Sequence, residues 1–275
     1  MKGIQMRYKR ITSLSNPLIR KAIEVKKRKL GSAEELFLVE GPHLVGMAAS
    51  ASVLIKEVFH TETFMRKEEG EKLLTQLALM QSPPEVRVEV PDEIILRISD
   101  TESSQGIVAL VAHNPCNFRE LVVSGKPLVV ACDGIQDPGN LGTIIRVADA
   151  AGADAVVMLP GTCDPLSPKT VRATAGSIFN IPVIICGYSE FLDYVALKML
   201  DLIVTDIRAR RSLYESDFKR PVAFVFGNEA RGVSEVLRSK AIESVKIPIP
   251  GKAESLNVAI AAAVCLFEAV RQRRG

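Results

Sequence analysis

A chain of 275 residues is long for one domain and comfortable for two, and with 47% hydrophobic and 24% charged residues it has the makeup of a soluble globular protein with core material for both halves. The net charge of +3 is unevenly laid out: residues 1–30 hold ten Lys/Arg against one acid, Glu24, while the remainder holds 25 basic and 31 acidic residues. A basic arm on a mildly acidic body points to a polyanionic partner.

The arm comes first in chain order. Ser15-Asn16-Pro17 is a helix start signal and Gly31 a stop, so residues 12–30 read as a basic helix with its densest charge at Lys26, Lys27, Arg28 and Lys29. Short β-like runs then alternate with helical ones. Phe37–Glu40, Val53–Phe59, Val86–Val90 and Ile107–Ala112 read as strands, and Pro42–Ala51, Glu62–Met80 and Asp92–Ile98 as helices. This makes residues 1–112 a small α/β domain behind the arm, and residues 113–126, poor in apolar periodicity, a linker.

From Pro127 to the end the rhythm strengthens. Leu128–Cys132, Ala155–Leu159, Val183–Cys186, Asp201–Thr205, Val222–Phe226 and Ser244–Ile247 are short β-branched runs with helical stretches between most of them. Such alternation predicts an α/β domain over 127–275, with a mostly parallel sheet covered by helices on both faces. The longest apolar run, Val258 to Phe267, is ten residues and too short to cross a bilayer; no signal-peptide stretch follows the basic start. The five cysteines, Cys116, Cys132, Cys163, Cys186 and Cys265, contain no CxxC, and His43, His60 and His113 are scattered. A metal site is therefore not expected, and a reducing, cytoplasmic setting without a membrane partner is.

In parallel sheets ligands lie beyond the carboxyl ends of strands, so the residues just after each strand carry the information. Three patches stand out. After the strand ending at Cys132 runs Asp133-Gly134-Ile135-Gln136-Asp137-Pro138-Gly139-Asn140-Leu141-Gly142-Thr143-Ile144-Ile145-Arg146, where Asn140 stands at an expected N-cap and Arg146 lies in an apolar helix. After Val222–Phe226 runs Gly227-Asn228-Glu229-Ala230-Arg231-Gly232. The last is Ile247-Pro248-Ile249-Pro250-Gly251-Lys252-Ala253-Glu254-Ser255-Leu256-Asn257, with Ser255 opening a long helix through Val270. Each alone reads as capping and packing. No GxxxxGK[ST] or GxGxxG follows any strand, which weighs against a phosphate loop or a dinucleotide-dependent oxidoreductase.

In order, the patches resemble the three motifs of the SpoU (TrmH-type) family of SPOUT methyltransferases. Asn140, Gly142, Arg146, Ala148 and Gly152 match the first motif, Gly227, Glu229 and Gly232 the second, and Pro248, Ser255, Leu256 and Asn257 the third. Residues 1–112 more loosely resemble the family's ribosomal-protein-like substrate-binding domain. The resemblance implies a C-terminal segment threaded into a deep trefoil knot, a homodimer, and methyl transfer from S-adenosylmethionine to a ribose 2′-hydroxyl of RNA. Ribosomal RNA of the large subunit is the expected substrate. Transfer RNA, or a non-catalytic role in ribosome assembly, is the alternative. The resemblance places Arg146, Asn140, Glu229, Ser255 and Asn257 in the catalytic set and Gly227, Ile247, Leu256 and Thr205 around the methyl donor. A guanidinium stays protonated, so Arg146 reads as a phosphate and alkoxide partner; the base is a phosphate oxygen, water or Glu229.

Overall fold

The computed structural model describes residues 7–27, 36–51, 53–113, 115–123 and 125–274. Arg28, Lys29 and Gly31 of the expected basic helix lie outside them. The elements follow in the order β1 (Arg7–Arg10), α1 (Pro17–Lys26), β2 (Leu36–Glu40), α2 (Pro42–Ser50), β3 (Ile55–His60), α3 (Glu62–Met65), α4 (Glu68–Ala78), β4 (Val86–Glu89), α5 (Asp92–Ile98) and β5 (Ile107–Ala112). Then come β6 (Leu128–Asp133), α6 (Pro138–Ala150), β7 (Ala155–Met158), α7 (Pro168–Ala173), β8 (Val183–Ile185), α8 (Tyr188–Leu197), β9 (Asp201–Thr205) and β10 (Arg211–Ser212). The chain closes with β11 (Val222–Gly227), α9 (Glu235–Arg238), β12 (Glu243–Lys246) and α10 (Val258–Arg274). Two compact units result: Met1–Asn114 with Leu166–Phe179, and Pro115–Pro165 with Asn180–Gly275.

The first unit is a five-stranded sheet in the order β1-β4-β3-β5-β2. β4 runs parallel to β1 and β3, and β5 antiparallel to β3 and β2. One face carries Val45, Ala48, Leu73, Leu74 and Leu77 of α2 and α4; the other carries Ile19, Ala22 and Val25 of α1 and Ile94, Ile95 and Ile98 of α5. The basic arm is thus largely part of the body. The spacing of Ile19, Ala22 and Val25 gives α1 an apolar face that buries, Asn16 caps it by accepting the N–H of Leu18 at 3.0 Å, and β1 adds an edge strand where none was expected. Lys21 pairs with the nearly buried Glu57 at 2.7 Å, and Lys26 donates to the carbonyls of Arg97 and Ser99.

Two other expectations change here. The helix expected over Glu62–Met80 breaks into α3 and α4, because Lys67 adopts an extended backbone and Gly70 lies against the carbonyl of Phe64. A Cβ on Gly70 would stand 2.0 Å from that oxygen. The segment Leu166–Phe179, expected within the C-terminal domain, belongs to the first unit: Leu166 and Val171 join its core, and Phe179 stacks on Phe37 at 6.2 Å between ring centroids.

The second unit is a seven-stranded, fully parallel sheet in the order β10-β12-β9-β11-β6-β7-β8. Every residue of β6 and β11 is buried, as expected of central strands covered on both faces. On one face Phe191, Tyr194 and Val195 of α8 and Leu237 of α9 form the core, joined by Leu121 and Phe118 of the expected linker; Phe118 stacks on Tyr194 at 4.2 Å. α6 and α10 pack on each other, and α10 contacts β11. The C-terminal turn of α10 is tied down: Arg273 donates to the carbonyls of Phe218, Lys126, Pro127 and Arg220 at 2.8–3.2 Å. Among the described residues no helix is long and apolar enough to cross a membrane.

Candidate active site

Strand order brings the three patches to one edge. β12, β9, β11 and β6 are consecutive and parallel, so the chain leaving each of them emerges on the same side of the sheet.

Asp137, not Asn140, caps α6. Its carboxylate accepts the N–H of Asn140 at 2.9 Å, Pro138 takes the first helical position, and Asn140 is the third residue of the helix. The signal was present as Asp-Pro, a capping acceptor followed by the residue that needs no N–H partner. This frees the side chain of Asn140. Likewise α10 begins at Val258 and is capped by Asn257, whose Oδ1 accepts the N–H groups of Ala259 at 2.9 Å and Ile260 at 3.3 Å; Ser255 lies ahead of it, exposed.

The freed amide joins the patches. Asn257 Nδ2 donates to Asn140 Oδ1 at 2.8 Å, and Asn140 Nδ2 donates to Glu229 Oε1 at 2.9 Å. The direction of this relay is fixed at its root. Backbone N–H groups only donate, so Asn257 must present its oxygen to α10 and its NH₂ to Asn140, which must in turn present its NH₂ to the carboxylate. Glu229 Oε2 makes no hydrogen bond among the described residues.

Glu229 is positioned by a pinned hairpin. Asn228 and Gly232 exchange backbone hydrogen bonds at 3.1 and 2.8 Å. Asn228 Oδ1 accepts from the N–H groups of Ala230 and Arg231 at 3.0 Å, and its Nδ2 donates to the carbonyl of Gly134 at 2.8 Å. Gly227 is required there, because a Cβ would come within 2.3 Å of Gly232 C and Val233 N. Asp133, 3% exposed, holds the far foot: Oδ2 accepts the N–H of Ser234 at 2.6 Å and Oδ1 the hydroxyl of Tyr188 at 2.8 Å. Burial first, and then the bond to Asp133, push the Tyr188 phenol up. No motif position in the sequence points to Asp133, Asn228, Tyr188 or Ser234; only the location of Asp133 and Asn228 at strand ends marks them.

The remaining expected residues stand apart from the relay. Arg146 and Ser255 are exposed, and their side chains have no hydrogen bond or ion pair among the described residues. Thr205 donates its hydroxyl to Val225 O at 3.0 Å, bridging the ends of β9 and β11. Ile247 and Leu256 bracket a segment that is neither helix nor strand and bends at Gly251, Lys252 and Glu254, and the backbone groups of residues 248–256 make no hydrogen bond among the described residues. No cluster of His, Cys, Asp and Glu among the described residues has the makeup of a metal site.

Residues 127–267 match the SpoU rRNA Methylase family, and residues 16–109 match the MRM3-like substrate binding domain. The chain belongs to the SpoU rRNA methylase family. Its SpoU segment contains all three patches and ends inside α10. The chain is 32% identical to the 23S rRNA (guanosine(2553)-2′-O)-methyltransferase RlmP of Bacillus subtilis, over 94% of its own length and 98% of that protein. It is 37% identical to the 23S rRNA (guanosine-2′-O-)-methyltransferase RlmB of Ralstonia nicotianae, over 66% of its length and 75% of that protein. Among solved structures it resembles the AdoMet-bound rRNA methyltransferase of Sinorhizobium meliloti with a TM-score of 0.84 and 31% identity, covering 96% of this chain and 98% of that one.

Proposed function

We propose that this SpoU protein transfers a methyl group from S-adenosylmethionine to a ribose 2′-hydroxyl of large-subunit ribosomal RNA. The observation that carries the reading is the Asn257–Asn140–Glu229 relay, which links the loops of three strand ends into one polar constellation. RlmP and RlmB are both named as 23S rRNA 2′-O-methyltransferases, which favours ribosomal over transfer RNA.

The donor site fits what the chain offers. The unpaired backbone groups of residues 248–256, with Gly227 and Thr205 on the neighbouring strands, supply the donors and acceptors that hold a nucleoside and an amino-acid moiety. Ile247 and Leu256 add apolar contact. When bound, S-adenosylmethionine supplies a methyl group activated on a sulfonium.

The chain's own residues do the rest. The relay occupies Glu229 Oε1 and leaves Oε2 to take the proton of the ribose hydroxyl. Arg146, unpaired and permanently cationic, grips the adjoining phosphate and steadies charge on the ribose oxygen. Ser255 lies just ahead of the Asn257 cap and hydrogen-bonds the RNA backbone. The 2′-hydroxyl is what makes RNA, and not DNA, the substrate.

A homodimer is part of this reading. Leu256, Ile260 and Phe267 expose apolar surface at and along α10, at 37%, 52% and 48%, the face on which a second copy packs. So is the knot: β12 lies between β9 and β10, so the chain leaving Lys246 emerges between two strands joined by residues 206–210, which supports a threaded C-terminal segment.

Transfer of tritiated methyl to 23S rRNA, followed by nucleoside analysis, tests the proposal. Label in 2′-O-methylnucleosides is expected; label on a base nitrogen overturns the ribose assignment.

A further inference from the structure

Of the four consecutive strands β12, β9, β11 and β6, three release the motif patches. β9 lies between β12 and β11 and releases Asp206-Ile207-Arg208-Ala209-Arg210-Arg211 at the same end of the sheet.

This turn is built, not loose. The Asp206 N–H donates to Val245 O at 2.9 Å, Asp206 Oδ1 accepts the Arg208 N–H at 2.9 Å, and the Ala209 N–H donates to Asp206 O at 3.0 Å. Ala209 is buried. Arg211 forms an ion pair with Glu243 at 2.8 Å and donates to the carbonyl of Glu215 at 2.8 Å, and Ser212 and Glu215 close a capping box.

The acids around the turn are already matched. Asp206 pairs with Arg238 and Glu243 with Arg211, while Glu215 accepts the N–H of Ser212. Arg208 and Arg210 are exposed, and their side chains have no hydrogen bond or ion pair among the described residues. Tyr214, in the 3₁₀ turn that follows β10, is 58% exposed. Two unpaired guanidiniums on a rigid turn lose little backbone freedom on binding, and their planar forks match phosphate oxygens. The exposed ring of Tyr214, four residues after Arg210 in sequence, offers a stacking face for a base.

We propose that Arg208 and Arg210 form a phosphate-binding surface on the catalytic unit, which grips the RNA strand flanking the target ribose with Tyr214 as a stacking partner. The proposal rests on the chain's reading as an RNA methyltransferase and assigns the contact to the β9 turn, separately from the basic residues of the first unit.

The test uses the full-length protein, a 23S rRNA fragment and the double variant Arg208→Gln/Arg210→Gln. Affinity for RNA is measured across a salt series, and affinity for S-adenosylmethionine separately by calorimetry. The slope of log affinity against log salt is expected to flatten by about 1 for each arginine removed. S-adenosylmethionine affinity is expected to stay at the wild-type value, and Arg208→Lys/Arg210→Lys to keep most of the slope. An unchanged slope overturns the proposal. So does a loss of S-adenosylmethionine affinity with the slope intact, which assigns the arginines to the donor's carboxylate. Absence of methyl transfer by wild-type protein, with the slope change present, sinks the enzymatic reading and leaves the phosphate surface standing.

Discussion

Asn257 and Asn140, 117 positions apart, share a 2.8 Å hydrogen bond in which Asn257 Nδ2 donates. The same Asn257 caps α10 through its oxygen, so one side chain orients a helix and a polar constellation together. The two roles separate by substitution. Asn257→Ser keeps a capping acceptor and loses the amide; Asn257→Ala loses both. The serine variant is expected to unfold in urea near the wild-type midpoint, and the alanine variant to lose about 1 kcal/mol. Both are expected to lose methyl transfer, on the order of 100-fold, because Asn140 is no longer held. Wild-type turnover in the serine variant would show that the relay has no part in catalysis.

Asp133 carries a prediction about folding. It is buried and accepts two hydrogen bonds that hold the foot of the Glu229 hairpin. Removing it leaves the N–H of Ser234 and the hydroxyl of Tyr188 without their acceptor. Asp133→Ala is expected to cost roughly 2–4 kcal/mol and Tyr188→Phe about 1 kcal/mol, measured by urea unfolding. Equal costs for the two variants contradict this division.

His60 sets a pH dependence for the first unit. It is fully buried, its Nε2 accepts from Arg87 Nε at 2.9 Å, and its Nδ1 faces the carbonyl of Thr61 at 3.1 Å. Arg87 can only donate, so the ring is neutral with its proton on Nδ1. Burial is the largest cause that lowers its pKa, and the charge of Arg87 adds to it; the Thr61 carbonyl and Glu89 oppose. A histidine with a lowered folded-state pKa contributes stability that is complete above the unfolded value, about 6.5, and is lost as pH falls through the folded value. Unfolding midpoints are therefore expected to drop below about pH 6.5, and less steeply in His60→Gln. An equally steep fall in that variant assigns the effect elsewhere.

Arg273 clamps the end of α10 to four backbone carbonyls. Arg273→Ala is expected to destabilise the second unit by roughly 2 kcal/mol, since bonds from a charged donor are worth more than neutral ones. Arg274, exposed at the same end, has no such ties among the described residues, and Arg274→Ala is expected to leave the urea midpoint in place. Matching losses in the two variants refute the clamp.

Much of this was legible in the sequence because buried parallel strands are continuous apolar runs and motif residues follow them directly. β6, β9 and β11 lie within a residue of where their β-branched runs placed them. The arm misled because charge dominates its composition, while three apolar residues at helical spacing decide that α1 packs. The packing of Leu166–Phe179, inside the SpoU segment by sequence, was out of reach for a different reason. Which unit a segment joins depends on the surface its Leu166 and Val171 meet, and local pattern does not encode that. In the site, residue types at the motif positions named Asn140, Glu229 and Asn257, but their hydrogen bonds span 89 and 117 positions, and only the strand order brings them together.

In the proposed mechanism Glu229, aimed by the two asparagines, takes the ribose proton during methyl transfer. The most direct measurement is single-turnover transfer of tritiated methyl to 23S rRNA by wild type and Glu229→Gln, with the product digested to nucleosides. Label is expected in a 2′-O-methylnucleoside for wild type, with a rate on the order of 100-fold lower for the variant and S-adenosylmethionine affinity retained. Undiminished transfer by Glu229→Gln, or label on a base, would contradict this mechanism.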